Sequence, residues 1–404
     1  MKYVVLLGDG MADEPLPELN GKTPLEVAKI PNMDRLAREG ALGLAQTIPA
    51  GYPPGSDVAN LSVFGYDPAV CYSGRSPLEA ASMGVDLGPD DIAFRLNLVT
   101  LRDRDGELHM DDFSAGHIGS QDASRIIATL QQELGDDRFS FYPGVSYRHL
   151  MVWHGGKEQL SFTPPHDITG QPIAAFLPKG EGSDDLVRLT AKANDLLASH
   201  AVNAERVANG KKPANSIWLW GHGRAPRMET LQQKFAISGA VISAVDLIKG
   251  IGVYAGLDVI EVPGATGYLD TDYEAKGLYA LEALKTRDYV YVHVEAPDEA
   301  SHSGDLKEKI RAIEAFDSLV VGTVLNGLPA LGDHRVLVLP DHPTPVKKMT
   351  HTGDAVPFIL FDSRGAELAG GPCGAGYNEK AALNTGLTVA QGHELMNWLV
   401  TGRC

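Results

Sequence analysis

Residues 1–15 read MKYVVLLGDGMADEP: the run from Tyr3 to Leu7 is continuously apolar, and it stops at Asp9, a carboxylate held between Gly8 and Gly10. Buried strands of a parallel sheet read this way, and in doubly wound sheets ligands gather outside the carboxyl ends of the strands. The same grammar returns in DYVYVHVEAPDEASH (288–302) and RVLVLPDHPTP (335–345), apolar strands followed at once by Asp and His. SIWLWGHGRAP (216–226) reads as a fourth such strand, ending in Gly, His and Arg. Between them KTPLEVAKI (22–30), PNMDRLAREG (31–40), AVISAVDLIKGIGVYAG (240–256), EAKGLYALEALKT (274–286) and KEKIRAIEAFDSLVVGTVLNGL (307–328) carry apolar residues at helical spacing. Strands alternating with helices predict an α/β fold.

Residues 91–213 break the pattern. AFRLNLVTL (93–101) and YRHLMVWHG (147–155) alternate, the links are loop-rich, and DDLVRLTAKANDLLASHAV (184–202) is one helical run. This predicts a smaller α+β domain over 91–213, inserted into an α/β domain made of 1–90 and 214–404.

Composition narrows the function classes. Against 52 acidic side chains the 404 residues carry only 35 Lys and Arg, a net charge of −17, which argues against nucleic acid as a partner. Hydrophobic residues at 44% and charged residues at 22% fit a globular chain and exclude disorder. Cys71, Cys373 and Cys404 are odd in number and far apart, so neither a disulfide framework nor a CxxC metal knuckle is available. No run approaches the ~18–20 apolar residues of a membrane span, and the amino-terminal run is too short for a signal-peptide core. A cytoplasmic protein with no membrane partner is expected; composition carries no information on oligomeric state.

The chemistry lies at the strand ends. Asp298 and His302 stand four apart, one face of a helix; Asp341 and His342 are adjacent, and His351 follows in KKMTHTGDAVP (347–357). With Asp9 they make three carboxylates and three imidazoles, the mixed donors that hold Mn²⁺ or Zn²⁺ in pairs. Each Asp–His pair alone reads as a strand-end turn or a helix cap; several in one chain argue for a shared two-metal site, whose leading chemistry is phosphoryl transfer. Ser56, after Pro53-Pro54-Gly55 in GYPPGSDVANLSVFGYD (51–67), reads either as a plain helix-capping serine or as a nucleophile. His117, Arg148, Arg224 and Lys249 are candidates for gripping an anionic substrate, each equally readable as a solvated surface group. Other signals fail: no third glycine completes a dinucleotide fingerprint at Gly8-Asp9-Gly10, His393-Glu394 lacks the second histidine of HExxH, LDTDYEAKG (269–277) is not a full EF-hand loop, and no GxxxxGK[ST] is present.

The stretches LLGDGMAD (6–13), GKTPLEVAKIPNMDRLAREG (21–40), PPGSDVANLSVFGYDP (53–68), SGRSPLEAASMG (73–84), DFSAGHI (112–118), HVEAPDEASHSGD (293–305), LPDHPTP (339–345) and HTGDAVPF (351–358) run in order across nearly the whole chain. Together they resemble the cofactor-independent phosphoglycerate mutases of the alkaline phosphatase superfamily, in the shorter archaeal-type branch. The resemblance implies an alkaline-phosphatase-like core sheet flanked by helices, a phosphoserine intermediate on Ser56, and two divalent metal ions, Mn²⁺ first with Zn²⁺, Co²⁺ or Mg²⁺ as alternatives. Carried over by motif, Asp9, Ser56, Asp341 and His342 hold one metal, and Asp298, His302 and His351 the other. His117, Arg148, Arg224 and Lys249 become the substrate-binding set, with Lys249 also countering the charge of the transferring group. The implied reaction interconverts 3-phosphoglycerate and 2-phosphoglycerate, a small phosphorylated substrate, without 2,3-bisphosphoglycerate. A bacterial subgroup sharing PPGSDVANLS, GRSPLEAASMGV and YPGVSYRHLMV has been proposed to act as homoserine kinases, so a homoserine kinase-like phosphotransferase is the first alternative. A metal-dependent phosphatase of the same superfamily is the second, and a metal-stabilised binding protein without turnover is the third.

Overall fold

The amino-terminal apolar run forms the strand Lys2–Gly8, whose residues Val4 to Leu7 are fully buried. In this computed structural model, which describes residues 1–365 and 376–402, that strand lies inside an eight-stranded sheet; Cys373 and Cys404 lie outside the described residues. The chain divides into two compact units, one made of residues 1–72 and 227–404 and the other of residues 73–226.

In the first unit the sheet order is Asp258–Val259, Gly239–Ile242, Tyr289–Val294, Lys2–Gly8, His334–Leu339, Val356–Asp362, Ala41–Ala45, Thr388–Val389. The first five run parallel; Val356–Asp362 is antiparallel to both of its neighbours. The three strands read as ending in Asp and His are therefore adjacent. Gly8 pairs with Val294 and Leu7 with Leu339, so their carboxyl ends finish level. That register sets the chemistry of Asp9, Asp298 and Asp341 side by side. On one face of the sheet Met33, Leu36, Phe316, Val320 and Val324 from the helices pack against its valines and leucines, and the residues facing the other way, such as Val5, Leu7, Tyr291 and Leu337, are buried as well.

One helix differs from the expectation over 240–256. Its first residues, Gly239–Ile242, are all buried and join the parallel sheet, and the helix begins only at Asp246. Valine and isoleucine fit a strand buried on both faces as well as they fit a helix, and here the sheet wins.

The second unit holds a five-stranded sheet in which Ile92–Arg104 pairs antiparallel with Glu107–Asp112, Arg148–Trp153 and Ser216–Gly223. The 216–226 segment is thus not a further strand of the parallel set. It turns Ile217 and Leu219 toward one core with Leu96 and Leu98, and Trp218 toward another with Val99 and Met110, so its apolar run is a strand buried on both faces by alternate residues. The unit also begins earlier than the expected residue 91. Ser76, on the helix Arg75–Ser82, donates to Gly221 O at 2.5 Å and accepts from Arg95 N at 2.8 Å, which joins that helix to both strands.

His149 is a built-in acid sensitivity of this unit. It is buried, its Nδ1 accepts from Gly144 N at 3.0 Å, and burial pushes its pKa down to about 4. The folded state then stays neutral while the unfolded chain takes a proton near pH 6.5, so stability falls as pH drops from about 6.5 toward 4, by at most about 3 kcal/mol. His149→Asn, which keeps an acceptor for Gly144, is expected to flatten that slope. Denaturant midpoints at pH 7 and pH 4.5 for both proteins check it.

Candidate metal centre

Each strand end delivers its donor by a different local device. Asp9 follows Gly8 directly, and its amide donates to Val294 O at 2.9 Å, extending the ladder by one residue. Gly10 then turns at φ 63°, where a Cβ would lie 2.6 Å from Thr344 Oγ1 and 2.7 Å from Asp298 Oδ1; no other residue fits there. Asp298 and His302 stand on one face of the helix Ala296–His302, with His302 Nε2 3.1 Å from Asp298 Oδ2. Asp341 and His342 leave the strand His334–Leu339 through Pro340. Ser56 is the first residue of the helix Ser56–Val63, which places its hydroxyl at the helix mouth.

These pieces meet. His342 Nε2 lies 3.1 Å from Ser56 Oγ, 3.3 Å from Asp341 Oδ2 and 3.7 Å from Asp9 Oδ1. Beside them, His302 Nε2 lies 2.9 Å from His351 Nε2, and His351 Nε2 lies 3.5 Å from Asp298 Oδ1. All seven residues expected as metal donors are thus gathered in two adjoining groups. His342 stands where the groups touch, since it also falls within 4.8 Å of the ligand atoms of both Asp298 and His351.

The hydrogen bonds decide which ring nitrogens are free. Thr344 commits its one hydrogen to Asp298 Oδ1 at 2.5 Å and stands 3.2 Å from His342 Nδ1. Nδ1 must therefore be the donor, and Nε2 carries the lone pair that faces Ser56 and the carboxylates. His302 follows the same logic: Nδ1 donates to Met349 O at 3.0 Å, which leaves Nε2 turned inward. Met349 itself sits at φ 53°, a left-handed strain of the sort that collects at functional sites.

Charge gives the centre its character. Burial, then Asp341, Glu295 and Asp298, push the Asp9 carboxyl well above its ordinary range, and burial raises Glu295 to about 8. Burial would raise Asp298 as well, but hydrogen bonds from His302 and His351 outweigh it and hold the carboxyl well below the ordinary range; the same contact lifts His302 to about 9. His342 is lowered by burial. Asp9 Oδ1 and Glu295 Oε2 are buried with no hydrogen-bond partner. Crowded buried carboxylates, orphaned oxygens and the inward-turned lone pair of His342 fit divalent cations bound by oxygen and nitrogen.

Four further residues complete the site. His293 Nε2 donates to Asp9 Oδ2 at 3.0 Å, and Glu295 lies beside it. Asn60 Nδ2 donates to Asp341 Oδ2 and to Ser56 O, both at 2.9 Å, while Thr344 bridges Asp298 and His342. In sequence a histidine inside an apolar strand reads as core, and only the four-residue step from Ser56 to Asn60 along one helix face could have singled out Asn60.

The expected anion-binding residues divide between the units, Lys249 in the first and the others in the second. His117 is exposed and ends three consecutive left-handed residues, Ala115, Gly116 and His117 at φ 49°, 65° and 49°. Arg148 is exposed, its guanidinium carbon 5.4 Å from the centre of the Tyr147 ring. Arg224 donates to Glu158 Oε2 at 3.1 Å and to Pro89 O at 3.0 Å, so its charge has a partner within its own unit. Lys249, on the helix Asp246–Tyr254, pairs with Glu261 Oε1 at 2.8 Å.

Comparison with known proteins agrees on one family. A model of the 2,3-bisphosphoglycerate-independent phosphoglycerate mutases matches residues 37–203. A Geobacter sulfurreducens protein named a probable 2,3-bisphosphoglycerate-independent phosphoglycerate mutase is 58% identical over 400 residues, spanning 99% of this chain and 100% of its own. The Methanosarcina acetivorans enzyme of that name is 52% identical over 405 residues, with 99% and 100% covered. Among solved structures, the cofactor-independent phosphoglycerate mutase of Thermoplasma acidophilum superposes with a TM-score of 0.71 at 26% identity, covering both chains completely. A Pyrococcus horikoshii protein reaches 0.82 at 29%, covering 100% of this chain and 98% of its own.

Gly10 offers a direct test of the centre. Gly10→Ala is expected to weaken Mn²⁺ binding by about tenfold or more through the clash with Asp298 and Thr344, whereas Gly21→Ala, at φ 76° with nothing within 4 Å, shares the backbone strain alone and leaves binding unchanged. Titrating Mn²⁺ against a competing chelator separates the two. His302→Ala should lose at least one metal per chain, counted by elemental analysis.

Proposed function

Because the chain belongs to the 2,3-bisphosphoglycerate-independent phosphoglycerate mutase family, we propose that it interconverts 3-phosphoglycerate and 2-phosphoglycerate, with Ser56 carrying the phosphoryl group between the two hydroxyls. The observation that carries this reading is Ser56 Oγ at a helix mouth, 3.1 Å from the lone-pair face of His342 within a cluster of buried carboxylates. A hydroxyl so placed is aimed, and the crowded donors around it are what a nucleophile toward an anionic phosphorus requires.

The residues divide the work. Asp9, Ser56, Asp341 and His342 would hold one divalent cation and Asp298, His302 and His351 a second, Mn²⁺ being the first choice. When bound, these ions lower the pKa of the Ser56 hydroxyl and neutralise charge on the phosphoryl oxygens. Ser56 Oγ forms the new bond to phosphorus as the bond to the substrate's C3 oxygen breaks, and that oxygen takes a proton. In the return half, the C2 hydroxyl gives up a proton and its oxygen displaces Ser56 from phosphorus. Asn60 fixes the Ser56 backbone and the Asp341 carboxylate with one amide, so nucleophile and donor keep their spacing through both halves. Lys249 supplies a compact positive charge to the transferring group, and His117, Arg148 and Arg224 grip the carboxylate and phosphate. The 73–226 unit then serves as the anion-binding unit and the rest of the chain as the metal unit.

Purified protein loaded with Mn²⁺ is expected to turn over 3-phosphoglycerate in an enolase-coupled assay with no 2,3-bisphosphoglycerate added. Ser56→Ala should lower kcat by ~10³-fold or more, and chelation should abolish turnover. Failure with 3-phosphoglycerate, together with Ser56-dependent phosphorylation of homoserine by ATP or release of inorganic phosphate, would reassign the centre to another phosphoryl transfer.

A further inference from the structure

Asp9 is held from behind by a chain of hydrogen bonds that runs in one direction. Val245 N donates to Ser243 Oγ at 3.0 Å, Ser243 Oγ lies 3.2 Å from His293 Nδ1, and His293 Nε2 lies 3.0 Å from Asp9 Oδ2. A carboxylate can only accept, so the neutral ring carries its hydrogen on Nε2 and leaves a lone pair on Nδ1, while the Ser243 oxygen can accept from Val245 N and still give its own hydrogen to that lone pair. The Ser243 hydroxyl donates to Nδ1, and His293 is the tautomer whose single hydrogen sits on Nε2 and goes to Asp9. His293 and Asp9 are fully buried and Ser243 is nearly so; water does not compete for these bonds.

The geometry points to His293 as a positioning residue that holds Asp9 Oδ2 and thereby leaves Oδ1 as the one oxygen presented to the centre, an inference that rests on the reading of Asp9 as a metal donor. Oδ1 is the oxygen without a hydrogen-bond partner, and it is the one turned toward His342 Nε2. The alternative, that His293 is itself a ligand in a third group with Asp9 and Glu295, is disfavoured on two counts. Both of its ring nitrogens are already engaged, and a buried lysine lies close by: Lys276 Nζ donates to the backbone O of His293 at 3.2 Å. A cation in that third group would be repelled by the neighbouring ammonium.

Two substitutions separate the roles. The amide nitrogen of Gln reaches the place of Nε2, whereas that of Asn sits at the place of Nδ1 and cannot reach Asp9. Measured by competition with a chelator, Mn²⁺ affinity is expected to stay within about threefold of wild type in His293→Gln and to fall by ~10–100-fold in His293→Asn, with two metals per chain retained at saturation in both. Circular dichroism melts of the chelated proteins check that both fold. Should His293→Asn fail to fold, Ser243→Ala, which frees the ring from the far side and leaves Asp9 untouched, is expected to weaken Mn²⁺ severalfold. Wild-type affinity in His293→Asn or, in its place, Ser243→Ala overturns the inference alone. Loss of one metal per chain in His293→Gln overturns it in favour of a ligand. No Mn²⁺ binding by the wild type overturns the reading of the centre together with it.

Discussion

Burying acid among acid is the constraint on which this protein is built. Asp9, Glu295, Asp298 and Asp341 converge where adjacent parallel strands end level, with a donor oxygen of Asp9 within 4.8 Å of one from Glu295 and of one from Asp341. At such separations and an effective dielectric constant near 20, each like-charged pair costs roughly 3 to 4 kcal/mol. A fold concerned only with stability would replace these groups by apolar ones, as measurements on buried ion clusters elsewhere suggest is often possible. Such a cluster is relieved by protonation, toward which the raised carboxyls of Asp9 and Glu295 lean, or by positive charge, which divalent cations would supply. The centre is thus a stored electrostatic demand, and the parallel register is what concentrates it.

The second requirement is order among the donors. Several inward-facing nitrogens and oxygens are fixed by what the other end of their group does. Thr344 determines the tautomer of His342, the Met349 carbonyl that of His302, and Asn60 couples Ser56 to Asp341 through one side chain. None of these outer groups is charged. Neutral donors and acceptors can direct a lone pair without adding to the imbalance of charge, which suits a site already crowded with carboxylates.

Much of this was legible in sequence because it depends on short-range pattern. An apolar run that halts at Asp or His identifies a strand and its functional end together, and helical spacing places Asp298 and His302 on one face. Pattern loses its power where both alternatives use the same residues. Ser216–Gly223 carries large apolar groups on both faces, so its alternation is masked and it passes for a parallel strand; Gly239–Ile242 merges with the helical pattern after it. The outer residues were hidden for another reason. His293 has no neighbour in sequence that explains it; its partners, Asp9 and Ser243, arrive from strands 284 and 50 residues away. A tautomer is a property of three-dimensional company, and composition does not encode it.

The position of the first strand has a consequence for how the chain is made. Tyr3 pairs with both Tyr289 and Arg335, so Lys2–Gly8 leaves the ribosome long before either of the strands that flank it, Tyr289–Val294 and His334–Leu339. At roughly 5–20 residues per second, an apolar segment with both edges unpaired waits on the order of tens of seconds for its neighbours. The 73–226 segment, continuous in sequence, can complete its own sheet during that delay. Synthesis then passes through a state in which the 73–226 unit can be folded while an apolar strand of the other unit still has both edges unpaired. Cellular yield of this protein should be governed by how that interval is chaperoned, more than by the stability of the finished molecule.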